Sequence, residues 1–301
     1  MPFVFSRGSL FVLLTVVVAA TASCGRERAH ADASVLDDFG ARVHDGTAHT
    51  PARIVSLNPT TTELLFALGA GSRLVGRTHW DVWPDSARFV PDVGDGIRPN
   101  IEAVLARHPQ LVVLYASADN RPAAQRLRAA GVEVLALKTD GITDFVRATH
   151  LLGIATGERA AAATIADTVQ RSLDRVRRET ATLERPRVVW PVWESPLMVI
   201  GGGSYLTQLL EIAGARNIYA DISAPSPQVS LEDVIRRAPD AVLVSPEGAA
   251  RIRTDPAWQA VPAVQHGRVL VIDTSLVLRP SVRLGEAARS LARLLHPGRI
   301  P

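Results

Sequence analysis

The chain is predicted to be an α/β protein of two similar lobes, each built on a mainly parallel sheet, joined by a single long rigid helix. Three features predict this. Short apolar strands alternate with helix-like stretches over residues 53–137 and again over 188–272, the pattern of parallel sheets with crossover helices. Between them, residues 158–184 hold neither proline nor glycine and are rich in Ala, Arg and Glu, which reads as one continuous helix of about 40 Å at 1.5 Å per residue. Finally, residues 100–113 recur as residues 230–243, at one constant offset of 130 residues.

The elements follow in order. The first lobe is assigned to residues 52–157. Arg53-Ile54-Val55-Ser56-Leu57 is a β-branched strand that Asn58-Pro59 ends. One of Thr60, Thr61 and Thr62 caps the next helix, which Gly69 stops. Strands are expected at 74–76, 111–114 and 132–137, with helices at 100–107 and 122–130. In the linker helix, 158–184, Ile165, Val169, Leu173 and Val176 recur at helical spacing, and Pro186 ends the run. The second lobe, 186–301, resumes the alternation. Its strands are expected at 188–190, 198–200, 241–244 and 269–272, and its helices at 204–213, 230–237 and 284–295.

The repeat singles out two carboxylates. Asn100 and Ser230 stand where helix N-caps belong, and Glu102 and Glu232 fall in the first turn that follows. The helix dipole favours a carboxylate there, which is a sufficient structural reason for either one alone. As a pair, one per lobe at equivalent points, they suit a two-fold symmetric partner presenting matched cations.

Composition bounds the function. The chain has 301 residues, 47% hydrophobic and 21% charged, with a formal net charge of only +3, so it can bury a core and has no clustered basic face for nucleic acid. Its one cysteine, Cys24, excludes an intramolecular disulfide and a Cys-based zinc site. Residues 1–24 hold Arg7, an apolar run from Leu10 to Ala20 and then small residues, the layout of a secretory signal. Thr21-Ala22-Ser23-Cys24 resembles a bacterial lipobox, which implies cleavage before Cys24 and a lipid on its thiol. Residues 25–51 are polar and aperiodic and are read as a flexible tether.

Candidate site residues are few. Gly201-Gly202-Gly203 precedes a helix without the GxGxxG or P-loop spacing; it is either a loop that lets a bulky ligand approach the backbone or a structural turn. Arg279 and Arg283 flank the start of the last helix and suit anionic ligand groups or nearby carboxylates. His79, beside Trp80, is either a metal ligand in a chelate or a hydrogen-bonded loop residue. Ser204 lacks the GxSxG elbow, and no nucleophile–base pair or paired acids form a motif. A lipid-anchored envelope enzyme is the rival class.

Over residues 52–297 the chain resembles the class III periplasmic binding proteins, through RIVSLNPTTTELLFALG, VGRTHWDVWP, IEAVLARHPQLVV, GGGSYLTQLLEIAGARNIY, PQVSLEDVIRRAPDAVLV and the late RPSVR. PQVSLEDV and the Asp-x-Trp-Pro turn are most similar to the cobalamin-binding branch. The resemblance implies a binding protein without a covalent cofactor. It would be exported to the periplasm or cell surface and held to the membrane by lipidated Cys24. It would take a metal chelate between its lobes and pass it to a dimeric ABC permease with its ATPase. Trp80, Trp83, Trp190 and Trp193 then face a corrinoid, together with Gly202, Gly203 and Arg279, while Glu102 and Glu232 dock on permease arginines. The tryptophans characteristic of the branch fall at Gly96 and Ser226, so a ferric siderophore or haem stays open as the ligand.

Overall fold

The computed structural model describes residues 35–47 and 49–301. The expected signal peptide and Cys24 lie outside the described residues. The first lobe contains β1 (Ile54–Leu57), α1 (Pro59–Ala67), β2 (Leu74–Gly76), α2 (Ile101–Leu105), β3 (Leu111–Tyr115), α3 (Arg121–Ala129) and β4 (Glu133–Leu137). Two helices follow, α4 (Ile142–Thr156) and α5 (Arg159–Thr180). The second lobe contains β5 (Arg187–Val189), β6 (Pro191–Glu194), β7 (Leu197–Val199), α6 (Tyr205–Ile212), β8 (Arg216–Asn217), α7 (Leu231–Arg237) and β9 (Ala241–Val244). It closes with α8 (Pro246–Thr254), α9 (Pro262–Gln265), β10 (Val269–Val271), α10 (Thr274–Val277) and α11 (Leu284–Leu295).

Each lobe holds a four-stranded, all-parallel sheet, ordered β2-β1-β3-β4 in the first and β10-β9-β5-β8 in the second. β6 and β7 form a separate antiparallel hairpin, where the sequence suggested a single strand at 198–200. Strand side chains alternate between faces, and the alternation sorts the core. Val55, Leu57, Val112, Leu114 and Val134 pack under α2 and α3. Val189, Val242, Val244 and Val269 pack under α7 and α8. The opposite faces of both sheets belong to one hydrophobic cluster, which runs from Ile54, Leu111 and Leu135 through Leu152, Val169 and Leu173 to Val188, Leu243 and Leu291.

The linker helix lies inside that shared core. It is shorter than the expected 158–184, spanning 22 residues and so about 33 Å. It stops at Thr180, where the chain turns over α6: the Thr180 hydroxyl donates to the Ile212 carbonyl at 3.0 Å, and a Cβ at Gly214 would collide with the Thr180 side chain. Its buried stripe is Ala162, Ala166, Val169, Leu173 and Val176. Gly153 of α4 and Gly285 of α11 let those helices close on it, since a Cβ at either position would collide with Ala162 or Ser172. α4, unexpected from the sequence, is separated from α5 by Gly157 at φ 78°.

The tether expected over 25–51 is corrected in part; residues 25–34 and 48 lie outside the described residues. Residues 35–47 are docked along the β4 edge. Asp38 N donates to Ala136 O at 2.9 Å, and the Asp37 carboxylate accepts from Ala136 N at 3.0 Å and from Arg128 at 2.9 Å. Asp38 accepts from Lys138 N at 2.7 Å and from Arg147 at 2.5 Å. The polar residues that suggested a solvated linker are the groups that satisfy an otherwise open sheet edge.

Candidate ligand cleft

Because both sheets are parallel, the loops after their strands gather at one end of each lobe, where open α/β sheets offer a crevice. The loop after β2 carries Trp80 and Trp83, which are 63% and 39% exposed. Between them Asp81 is fully buried and anchors the loop. Its carboxylate accepts from the Thr62 and Thr78 hydroxyls, each at 2.5 Å, and from Thr78 N at 3.3 Å. Burial pushes the Asp81 carboxyl above its ordinary range, against the pull of those hydroxyls. The His79 ring lies 4.6 Å from that of Trp80, tilted by 50°. The Trp83 ring lies under the Arg283 guanidinium, 5.0 Å away, so this side chain reaches across from the second lobe.

In the second lobe a cavity of about 460 Å³ opens at the ends of β5, β9 and β10, walled by Trp190, Trp193, Leu206, Ile272 and Val277. Glu194 and Arg251 pair at its polar side, at 2.5 and 2.8 Å. Trp193 is 62% exposed and held by a hydrogen bond from its Nε1 to Ser195 O at 2.9 Å. Trp190 differs from expectation. It is only 3% exposed and belongs to the shared core, so it forms the inner wall of the cavity and leaves the open aromatic face to Trp193.

The glycine run packs closely on the 220–225 backbone. Gly201 N donates to Pro225 O at 3.0 Å and Gly202 N to Ile222 O at 2.7 Å. The space a Cβ would need at Gly202 and Gly203 is taken by the Ala220 and Ser223 carbonyl oxygens. The close approach these glycines permit includes the chain's own 220–225 backbone, while Gly203 remains exposed. Gly96 is equally confined, with the Leu57 carbonyl oxygen where its Cβ would be, so a tryptophan does not fit there without moving backbone. Ser226 is exposed.

Arg279 meets Glu63 of α1 at 3.8 Å. Glu63 is 3% exposed, and burial pushes its carboxyl above the ordinary range while Arg279 pulls it back. Beside them the Thr60 hydroxyl donates to Pro280 O at 3.0 Å. The segment between α10 and α11 thus ties the second lobe to the first helix of the other. Sequence reading missed Asp81 and Glu63. Burial, which singles them out, is invisible in a linear pattern, although Asp81 sits inside the Asp-x-Trp-Pro turn.

Glu102 and Glu232 stand at the N-terminal ends of α2 and α7, both exposed. Residues 101–110 and 231–240 match position by position in their degree of burial. The caps match too: Asn100 accepts from Ala103 N at 3.1 Å and Ser230 from Asp233 N at 3.2 Å. Arg53 and Arg187 make equivalent ties, each reaching the carbonyls that end the helix, Arg107 O and Arg237 O, at 2.5 Å. Its own backbone N–H and the Ser230 hydroxyl hold the Glu232 carboxyl below the ordinary range. Each helix runs antiparallel to the strand after it, so both glutamates lie at the end of the lobes where the cleft loops gather.

Comparison with known proteins agrees with this architecture. Residues 54–276 match the family model described as periplasmic binding protein. An uncharacterized ABC transporter substrate-binding lipoprotein, YvrC of Bacillus subtilis, is 27% identical over 97% of this chain and 98% of its own length. The crystal structure of the periplasmic vitamin B12 binding protein BtuF of Vibrio cholerae superposes with a TM-score of 0.72 at 25% identity, covering 81% of this chain and 96% of that one. The periplasmic heme-binding protein BhuT, in complex with two hemes, superposes with a TM-score of 0.73 at 25% identity, covering 82% and 99%. With two parallel-sheet lobes on one helix and a family match over most of its length, the chain belongs to the periplasmic binding proteins, the class III solute-binding proteins of ABC importers.

Proposed function

We propose that the protein captures a metal chelate, first of all a corrinoid, between its lobes and delivers it to a dimeric ABC permease with its ATPase. The observation that carries this reading is the pair of exposed indoles, Trp80 on the loop after β2 of the first lobe and Trp193 on β6 of the second. Large exposed aromatic faces, of which Trp193 walls an apolar cavity, suit a flat, bulky ligand better than an ion. Trp83 adds a face beside Trp80, Trp190 the cavity wall, and Arg279 a polar anchor. Gly202 and Gly203 let their loop pack closely on the 220–225 backbone and leave the exposed Gly203 open to the ligand. Glu102 and Glu232 are the docking points for permease arginines. The protein is exported and held to the membrane through lipidated Cys24, in keeping with the lipoprotein name of its Bacillus relative.

The vitamin B12-binding relatives favour a corrinoid. A second reading, haem or a ferric siderophore, is favoured by the confined Gly96 and exposed Ser226, where the cobalamin branch has aromatic residues. Titration with cyanocobalamin, cobinamide, haemin and a ferric siderophore decides between them by absorbance change and thermal shift. Ligand at 100 times its Kd stabilises by about 2.7 kcal/mol, a readily measured rise in Tm. If none of the four binds at micromolar concentration, the chelate reading is wrong.

A further inference from the structure

We infer that the cavity in the second lobe is a subsite for a neutral aryl group, carried on an arm that stands off the ring of the captured chelate. The inference rests on the capture reading above and names the class of chelate.

The cavity lies where the two lobes stop being alike. In the first lobe β1 leads straight into α1, whereas β5, its counterpart by sheet order, is followed by the β6–β7 hairpin before α6. That hairpin supplies Trp193 and Glu194 as one wall. The floor belongs to the core: Trp190, Val244, Ile272 and Val277 are each 3% exposed or less, so packing fixes its shape. The rim is open, with Trp193 62% and Leu278 69% exposed. A ligand held at the strand ends can therefore reach inside.

Volume and charge set what enters. Pockets for drug-sized molecules hold roughly 300–1,000 Å³. At about 460 Å³ this cavity is at the small end, and it houses an arm of a bulky chelate rather than its macrocycle. Two indoles in the wall offer stacking or edge contacts to an aromatic ring. Among the described residues, the charged side chains that line it are Glu194 and Arg251. Arg251 donates from Nε and Nη2 to the two Glu194 oxygens at 2.5 and 2.8 Å, so the pair is satisfied within itself and carries no net charge. An anionic arm, such as a propionate, would meet Glu194 with like charge and lose its hydration among apolar walls. A neutral aryl ring gains by leaving water and covers apolar surface. A corrinoid that keeps its nucleotide arm carries such a ring below the corrin plane. Haem does not, nor does a corrinoid trimmed of its base.

The test uses cyanocobalamin, cobinamide and cobinamide phosphate, the last of which keeps the anion of the arm but has no aryl base. Dissociation constants come from absorbance titration of wild type and Leu278→Trp, whose indole fills the mouth of the cavity from an exposed position. Wild type is expected to bind cyanocobalamin tighter than cobinamide phosphate by about tenfold or more. Leu278→Trp should bring those two ligands close to parity. Melting temperatures show whether the variant is folded, and Leu278→Phe takes its place if it is not. Equal wild-type affinity for cyanocobalamin and cobinamide phosphate overturns the subsite and leaves chelate capture standing. So does a preference that survives unchanged in the folded variant, because the base is then read elsewhere. Binding of haemin or a ferric siderophore, with none of the three corrinoids bound, has the same meaning. Failure of all of these ligands to bind overturns chelate capture, and the subsite with it.

Discussion

The Arg283 guanidinium stands 5.0 Å from the centre of the Trp83 ring and so joins the start of α11, in the second lobe, to the loop after β2 in the first. The same guanidinium pairs with Glu286 at 2.8 Å through two nitrogens. A cation over an indole stabilises by about 0.5–1 kcal/mol where partly solvated. Arg283→Ala should lower stability by about that amount and shift tryptophan emission to the red as Trp83 meets water. An unchanged emission maximum would show that the stacking does not persist in solution.

Trp80 and Trp193 should behave unlike Trp190. Alanine at either exposed position should weaken chelate binding by about 1–3 kcal/mol with little loss of stability. Trp190→Ala should instead destabilise the fold by about 3–5 kcal/mol, because it empties a site in the shared core. Urea unfolding and ligand titration of the three variants separate the roles. A Trp190 variant as stable as wild type would contradict its placement.

Asp81 makes stability depend on pH. Its carboxyl is raised in the folded protein, so from an unfolded value of about 3.9 up to the folded value the folded state holds the proton more often than the unfolded one. Stability therefore falls as pH rises through that window. Glu63, raised in the same direction, adds to the slope. Asp81→Asn should flatten the dependence, measured as unfolding midpoints in urea from pH 4 to 7. Superimposable pH profiles for variant and wild type would remove Asp81 from this account.

Charge reversal at Glu102 and Glu232 tests docking. Glu102→Arg and Glu232→Arg should each reduce permease binding and uptake several-fold, by similar factors, and more at low salt than at high salt. Ligand affinity should not change, since neither side chain lines the cavity and the docking role assigns both to the permease. The double reversal should abolish uptake. Normal uptake by the double variant would reduce both glutamates to helix-start charges.

The anchor is tested by Cys24→Ser. Wild type should sediment with membranes, and the variant should be released or stall in processing. Equal solubility of the two forms, with cleavage at another residue, would contradict lipidation.

The legibility of this chain in its sequence was uneven, for identifiable reasons. The strands at 54–57, 111–115 and 241–244 stand out because they are buried on both faces and so are continuously apolar. The repeat stands out because equal surroundings demand equal residues: Val104 and Val234 are both fully buried, and Pro109 and Pro239 end equivalent helices. What was missed depends on contacts distant in sequence. Asp37 and Asp38 look solvated until Ala136 and Lys138 come alongside. The close packing that requires glycine at Gly202 and Gly203 comes from the carbonyls of Ala220 and Ser223, which the linear sequence does not place beside them. Trp190 and Trp193 lie three residues apart, yet one is in the core and the other on the surface, because β6 begins between them.

A core that runs unbroken from one sheet through α5 to the other has a mechanical consequence. A hinged jaw spends part of its binding free energy on closing, and relaxes open once its cargo leaves. Here, opening the jaw would mean shearing Leu152, Val169 and Leu291 out of their packing. The gap between the lobes is set largely when the chain folds, so little of the hold on a cargo comes from closing. Unloading then becomes work done on the protein from outside. An importer that contacts both lobes and turns over ATP has the leverage to do that work.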